Sequence, residues 1–351
     1  MSSSDASPTD ASHVPTCNPI LIEVTRGARV ESVHRGSLAL ATPSGHLVLA
    51  IGDVQRPVFA RSAVKAMQCL PLIESGAADR FGFANAEIAL ACASHTGTER
   101  HVALAASMLE RIRLGERDLG CGAHAPMSPS AAAALIRSGA SPSQLHNNCS
   151  GKHAGMLATA VHLEEPARGY WEVDHPVQRR IRRAMAELSG LELGADMLGI
   201  DGCSVPTWAM PLASMAAMFA TLVTGEGLAT ERRAAVERIL AACWAEPELV
   251  AGPGRADTNV MRRLPGRIFM KTGAEGVYCG GFPGIGLGFA LKIDDGATRA
   301  SAGATIALIE RVLPDARGLA DRSHIRNWRG ADVGLIRTSP ELERALDGLK
   351  L

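Results

Sequence analysis

The sequence predicts an α/β (α+β) chain in which strands from both ends build one sheet and a large helical insertion lies between them. Three observations predict it. Alternating or continuously apolar runs at Ile20–Thr25, Val30–Ala41 and His46–Ile51 are separated by Gly27 and by the turn Pro43-Ser44-Gly45. From about residue 75 to about residue 265 the apolar residues mainly follow helical spacing. Strand-like runs then return at Arg267–Lys271 and Gly286–Ile293. Strands that enclose helices in this way must recruit both chain ends, and the seam between sheet and insertion is a natural cleft.

Taken in order, residues 1–18 are polar and rich in Ser and Pro, which predicts a disordered tail. The tail lacks a basic segment followed by an apolar one, so it does not read as a secretory signal. Residues 19–351 read as a single domain. Arg61–Leu70 has helical spacing and stops near Pro71. Thr96-x-x-Glu99 is a candidate capping box for a helix reaching Arg113. Further helices are expected at 130–138, 152–163, 175–189, 211–223, 230–244 and 257–264, with Asp174 and Thr230 as N-caps and Gly139 and Gly190 near C-termini. A turn at Ile293-Asp-Asp-Gly-Ala then leads to a helix over Arg299–Leu313.

Composition excludes some partners. The formal net charge is zero, which argues against nucleic acid or a membrane surface. No apolar run is long enough to span a bilayer. Eight scattered cysteines form no disulfide framework and suit a reducing cytoplasm. Only five of the 36 basic residues are Lys, namely Lys65, Lys152, Lys271, Lys292 and Lys350. Where Arg has filled the surface, a surviving Lys is enriched for places a guanidinium cannot serve, because only an amine can lose its proton. Lys65, Lys152 and Lys271 sit in short Ser- or Gly-containing motifs, while Lys292 and Lys350 read as surface residues.

Five segments could carry chemistry. Ser62-Ala-Val-Lys65 places a hydroxyl and an amine three residues apart, which share a face on a helix and can form a nucleophile and its base. The plain alternative is a capped helix with an exposed Lys. Lys271-Thr-Gly273 closes an expected strand, and S-x-x-K followed by K-T-G is the order of serine β-lactamases and penicillin-binding proteins. The Ser-x-Asn element of that class is not evident. Ala91-Cys-Ala-Ser94-His95-Thr-Gly97 delivers Ser and His into a Gly loop, and adjacent side chains on an extended segment face opposite ways. His146-Asn-Asn-Cys149-Ser-Gly-Lys152-His153-Ala-Gly155 gathers amide, thiol, amine and imidazole before a helix, or is a Gly-permitted turn. In Gly199-Ile-Asp201-Gly-Cys203-Ser-Val-Pro206, Asp201 could meet an ammonium and Cys203 could join Cys149 on a metal, though each could equally be an ordinary loop residue.

Together these segments resemble the Rhizobial-type L-asparaginases, the asparaginase II family. The stretches RSAVKAMQCLPLIESGAADRFG, ACASHTGTERH, HNNCSGKHAGML, GIDGCSVPT and KTGAEGVY carry the resemblance, in family order over nearly all of the chain after the tail. The resemblance implies a serine β-lactamase-like fold, shared with glutaminases, and hydrolysis of L-asparagine to L-aspartate and ammonia. It implies two Ser–Lys pairs, Ser62 with Lys65 and Ser94 with Lys271, Ser62 being the acyl-forming nucleophile. It implies zinc held by Cys149, Lys152 and Cys203 with a water, and substrate contacts from Arg61, His95 and Asp201. A cytoplasmic homodimer is expected on the same ground. The competing readings are a glutaminase or dual-specificity amidohydrolase, a penicillin-interactive hydrolase, and a non-catalytic asparagine- or zinc-binding protein.

Overall fold

The computed structural model describes residues 17–319 and 323–351. The expected disordered tail lies outside the described residues up to position 16. Asn18, at its end, is anchored: its side-chain amide donates to Asp294 and its Oδ1 accepts from the Asp53 amide.

Strands β1 (Ile20–Arg26), β2 (Arg29–Ala41) and β3 (Leu47–Ile51) open the fold, and the short β4 (Pro57–Phe59) follows. Helices α1 (Lys65–Gln68), α2 (Leu70–Glu74), α3 (Ala77–Arg80), α4 (Asn85–Ala91), α5 (Glu99–Arg111), α6 (Pro129–Arg137), α7 (Ser150–His162) and α8 (Pro176–Ser189) come next. Strands β5 (Leu198–Ile200) and β6 (Pro206–Pro211) interrupt them before α9 (Leu212–Thr224), α10 (Thr230–Ala245), α11 (Pro247–Ala251) and α12 (Ala256–Arg263). The chain returns to strands with β7 (Phe269–Thr272), β8 (Val277–Phe282) and β9 (Leu287–Ile293). It ends with α13 (Thr298–Val312), β10 (Ser323–Arg326), β11 (Asp332–Thr338) and α14 (Pro340–Asp347). Among the described residues no helix is long and apolar enough to cross a membrane.

Both chain ends do supply the main sheet, which is antiparallel and runs β10-β11-β1-β2-β9-β8-β7, with β3 also paired to β2. Leu38 lies opposite Leu291, and Val24 opposite Ile336. Every residue of β8 is buried, and all of β9 except Lys292. Successive side chains in a strand face opposite ways, so such strands need cover on both faces. Helices α9 and α13 both pack on β8 and β9 and provide it.

Glycine sets the approach of α9. A Cβ on Gly288 of β9 would lie 2.2 Å from both the Ala216 carbonyl oxygen and the Ala220 amide nitrogen of that helix. Backbone atoms cannot step aside as a flexible side chain can. Gly288→Ala is therefore expected to destabilise the protein by about 3 kcal/mol, read as a lowered denaturation midpoint in urea. An unchanged midpoint would refute this account of the helix–sheet contact.

Several elements differ from the sequence expectation. β8 was not foreseen because Gly280-Gly281 lowers strand propensity. Those glycines admit the Phe269 carbonyl of β7 and the Val223 side chain in the last turn of α9, at 2.3 and 2.7 Å from where a Cβ would stand. Two strands of a second, three-stranded sheet, β4-β6-β5, namely β5 and β6, lie inside the span read as helical. The α5 cap is Thr98 rather than Thr96: Gly97 turns at φ +71°, and the Thr98 amide donates to His101 Nδ1 at 3.2 Å. His175, not Asp174, caps α8, accepting from the Val177 amide at 3.2 Å.

Candidate active site

The seam between β4, β7 and the helices gathers the motif residues. β4 ends at Phe59, and Arg61 then adopts φ +52°, a conformation uncommon for a residue with a side chain. A single 3₁₀ turn, Arg61–Val64, runs into α1. Gly273, just past β7, lies so close that a Cβ there would stand 2.9 Å from the Ala60 carbonyl oxygen. The K-T-G end of the sheet thus abuts the Ser62 turn.

Lys65, Lys152 and Lys271 are each no more than 2% exposed. Three of the five lysines are therefore fully internal, a costly placement for an ammonium unless its partners are specific. Lys65 Nζ donates to the Ala93 carbonyl at 2.5 Å, to Ser94 Oγ at 3.0 Å and to Cys149 Sγ at 3.1 Å. The direct hydroxyl–amine contact therefore joins Lys65 to Ser94. Neither Ser62 with Lys65 nor Ser94 with Lys271 is hydrogen-bonded. Ser62 is half-buried, and its hydroxyl has no hydrogen-bond partner among the described residues. Opening α1 just after the tight 3₁₀ turn, the long Lys65 side chain reaches past that turn to the loop after α4, which shared helical spacing alone does not reveal.

Lys271, in β7, donates to the Thr272 carbonyl at 3.1 Å. Burial pulls its amine down to about 7, Asp257 acting against that fall and the Lys65 ammonium adding to it. Its neutral form is therefore well populated near neutral pH. Asp257 is fully buried and was not singled out in the sequence. Its only sequence signal was its place in the first turn of an expected helix.

The thiol cluster adjoins Lys65. Cys149 precedes α7 and Lys152 lies one turn on; Lys152 Nζ donates to Cys203 Sγ at 3.0 Å. Cys149 beside it lowers Cys203 to about 4 against its burial, with the Lys152 and Lys65 ammoniums assisting; the Cys149 thiol itself donates to Asn148 Oδ1 at 3.0 Å. Cys203, with burial, pushes Cys149 up to about 12. Burial opposes the Lys152 ammonium, but Cys203, Cys149 and Asp201 hold it above the ordinary lysine range.

Among the described residues, no three His, Cys, Asp or Glu side chains cluster to hold a metal. Two cysteines and one lysine do converge. Soft thiol donors with an amine suit zinc, provided that Lys152 and Cys149 release protons as the ion enters.

Arg61 and Asp201 meet directly, Nη2 and Nε lying 2.8 and 2.9 Å from Oδ1. Arg61 also lines a cavity of about 250 Å³ with Phe59, Glu275, Val277 and Lys292. A larger depression of about 530 Å³, between the β2–β3 turn and the ends of α8 and α9, contains none of the motif residues. His95, expected to touch substrate, has no exposed surface. Its Nδ1 accepts from the Gly97 amide at 3.1 Å and its Nε2 meets Ser150 Oγ at 2.9 Å. That places it behind the site wall, bracing the Ser94 loop against α7.

Enclosed hydroxyl and amine groups at a sheet–helix seam are the equipment of a hydrolytic enzyme. Residues 22–338 match the family described as L-asparaginase II, and the chain belongs to that family. A search of curated proteins finds no match. Among solved structures, the chain is similar to Mglu in its native form in 4.3 M NaCl, at 17% identity and a TM-score of 0.43. The overlay covers 83% of this chain and 63% of Mglu, so the chain spans less than two thirds of that protein. It is similar also to a beta-lactamase from Mycobacterium bovis, at 15% identity and a TM-score of 0.39, covering 80% of this chain and 94% of that one. Both overlays are loose.

Proposed function

We propose that this protein is an L-asparaginase that hydrolyses the side-chain amide of L-asparagine through an acyl-serine. The observation that carries the reading is the Lys65–Ser94 contact beside the buried Lys271 amine, in a chain of the L-asparaginase II family.

Ser62 is the nucleophile. Its hydroxyl is uncommitted and partly exposed, and the turn that presents it begins at the left-handed Arg61. In its neutral form Lys65 takes the hydroxyl proton, becoming the ammonium, and Ser62 Oγ attacks the amide carbon. The tetrahedral oxyanion is met by N–H donors lining the seam. It collapses as the leaving nitrogen takes a proton through Ser94 and Lys65, releasing ammonia. Water then attacks the aspartyl ester, giving a proton back along the same path while Ser62 recovers its own. Lys271 receives and returns the relay's proton, for which an amine near 7 is well matched. Arg61 and Asp201 have charges opposite to the α-carboxylate and α-ammonium of the substrate and meet those groups.

Cys149, Lys152 and Cys203 would hold zinc, which when bound supplies positive charge and Lewis acidity beside the pocket. The chain's own residues there keep Lys65 in place through the Cys149 contact.

The test is ammonia release from L-asparagine and L-glutamine by purified protein, with zinc assayed on the same sample. Turnover of asparagine with one zinc per chain is expected. Faster release from glutamine would make the protein a glutaminase, and binding without release would make it a sensor.

A further inference from the structure

Asp257 and Tyr278 form a buried acid–phenol pair directly behind Lys271 that the mechanism has not used. Asp257 opens α12 and has no exposed surface. Its Oδ1 accepts the Thr272 amide at 2.7 Å and its Oδ2 accepts the Tyr278 hydroxyl at 2.6 Å. Both oxygens therefore face donors, the arrangement of a carboxylate rather than a carboxylic acid. Burial, with Asp257 beside it, keeps the Tyr278 phenol well above its usual range, so the phenol retains its proton. Thr272 is the residue after Lys271, so the carboxylate clamps the end of β7 that carries the amine.

We infer that Asp257 is a positioning residue, fixing the end of β7 and supplying the buried negative charge against which Lys271 works.

The surroundings of Lys271 leave this task to Asp257. The other charges acting on the amine include Lys65 from α1 and Arg255 beside α12, and both are positive. The thiols close enough to act on it are Cys149, Cys92 and Cys243. Cys149 also acts on the amine, less strongly than Asp257 does. Although Cys243 beside it favours the Cys92 thiolate, Cys69 and burial hold Cys92 well above the thiol range. Cys92, with burial, raises Cys243. Cys279, opposite Lys271 on β8, is raised by burial. Of the groups acting on the amine, Asp257 is the carboxylate and the stronger of the two that favour its ammonium form. A nearby negative charge favours the ammonium, so its removal moves the amine's titration to lower pH.

The inference rests on the reading that Lys271 takes part in the proton relay, and the experiment keeps the two separate. The protein is prepared with ¹³C-labelled lysine, and its five lysine signals are followed through a pH titration. In Asp257→Asn, an isostere able to keep contact with Thr272 and Tyr278, the Lys271 signal is expected to titrate at least about one pH unit lower. The acid limb of kcat/KM for ammonia release should fall with it, while the Lys292 and Lys350 signals stay in place. Tyr278→Phe takes a hydrogen bond from the carboxylate but leaves its charge, so Lys271 should titrate no lower than in wild type. It serves as the decisive variant if Asp257→Asn does not fold. An unmoved Lys271 signal in Asp257→Asn, or a downward shift in Tyr278→Phe, overturns the inference whatever the activity. Wild-type activity in Lys271→Met would instead remove Lys271 from the mechanism without touching the electrostatic link.

Discussion

Ser62→Ala should lower ammonia release from L-asparagine by on the order of 10³-fold or more, with the melting temperature nearly unchanged. Loss of an acyl-forming nucleophile costs at least that much, because the remaining groups can orient substrate but cannot form the ester. The fold should not register the change. The Ser62 hydroxyl makes no hydrogen bond among the described residues, and the turn is fixed by its backbone: the Ala63 amide donates to the Ala60 carbonyl at 3.2 Å. Single-turnover assays and a thermal melt on one preparation check both halves. Substantial turnover by Ser62→Ala would pass the nucleophile's role to Ser94, the hydroxyl already joined to Lys65.

Lys65→Met should be comparably inactive, because it removes the amine that links the two serines. General-base catalysis contributes about 10²- to 10⁴-fold, and this lysine is proposed to serve both the attack and the departure of ammonia. Met matches the length of the aliphatic stem but leaves the Ala93 carbonyl without its donor, at roughly 1–3 kcal/mol. Loss of a buried positive charge between Lys271 and Lys152 offsets part of that cost. The informative comparison is Lys65→Arg, which keeps charge and donors but cannot give up its proton near neutral pH. If catalysis needs a neutral amine, kcat for Lys65→Arg falls with that for Lys65→Met. Near-wild-type kcat in the Arg variant would show that Lys65 acts only as a fixed charge.

The lysines show how much was legible in the sequence. Their scarcity marked Lys65, Lys152 and Lys271 as unusual, and all three are internal. Short motifs also located the loops around Ser94, Cys149 and Cys203, because Gly and small residues mark places where backbone must turn or approach closely. Sequence could not assign partners. The S-x-x-K spacing puts Ser62 and Lys65 on one face, yet the direction of the Lys65 amine is decided by the Ala93 carbonyl and Ser94, from a loop about thirty residues away. Asp257 escaped for the same reason: an acid in a first helical turn is ordinary, and only the arrival of Thr272 and Tyr278 makes this one internal. β8 was hidden because its glycines answer to neighbours in β7 and α9 rather than to local propensity.

The pairing of early and late strands also dictates an order of events during synthesis. β2 is complete before residue 42, but its partner β9 ends at residue 293 and the β11 partner of β1 ends at residue 338. As the chain emerges from a ribosome, a meander of three strands waits with open edges while some two hundred residues of helix are made. Closure across so long a loop slows folding and leaves apolar edges able to find the wrong neighbour. Refolding from urea should therefore restore helical circular dichroism well before the Leu38 amide gains protection from hydrogen exchange. Simultaneous recovery of the two signals would mean that the outer strands find each other without help from the finished helical layer.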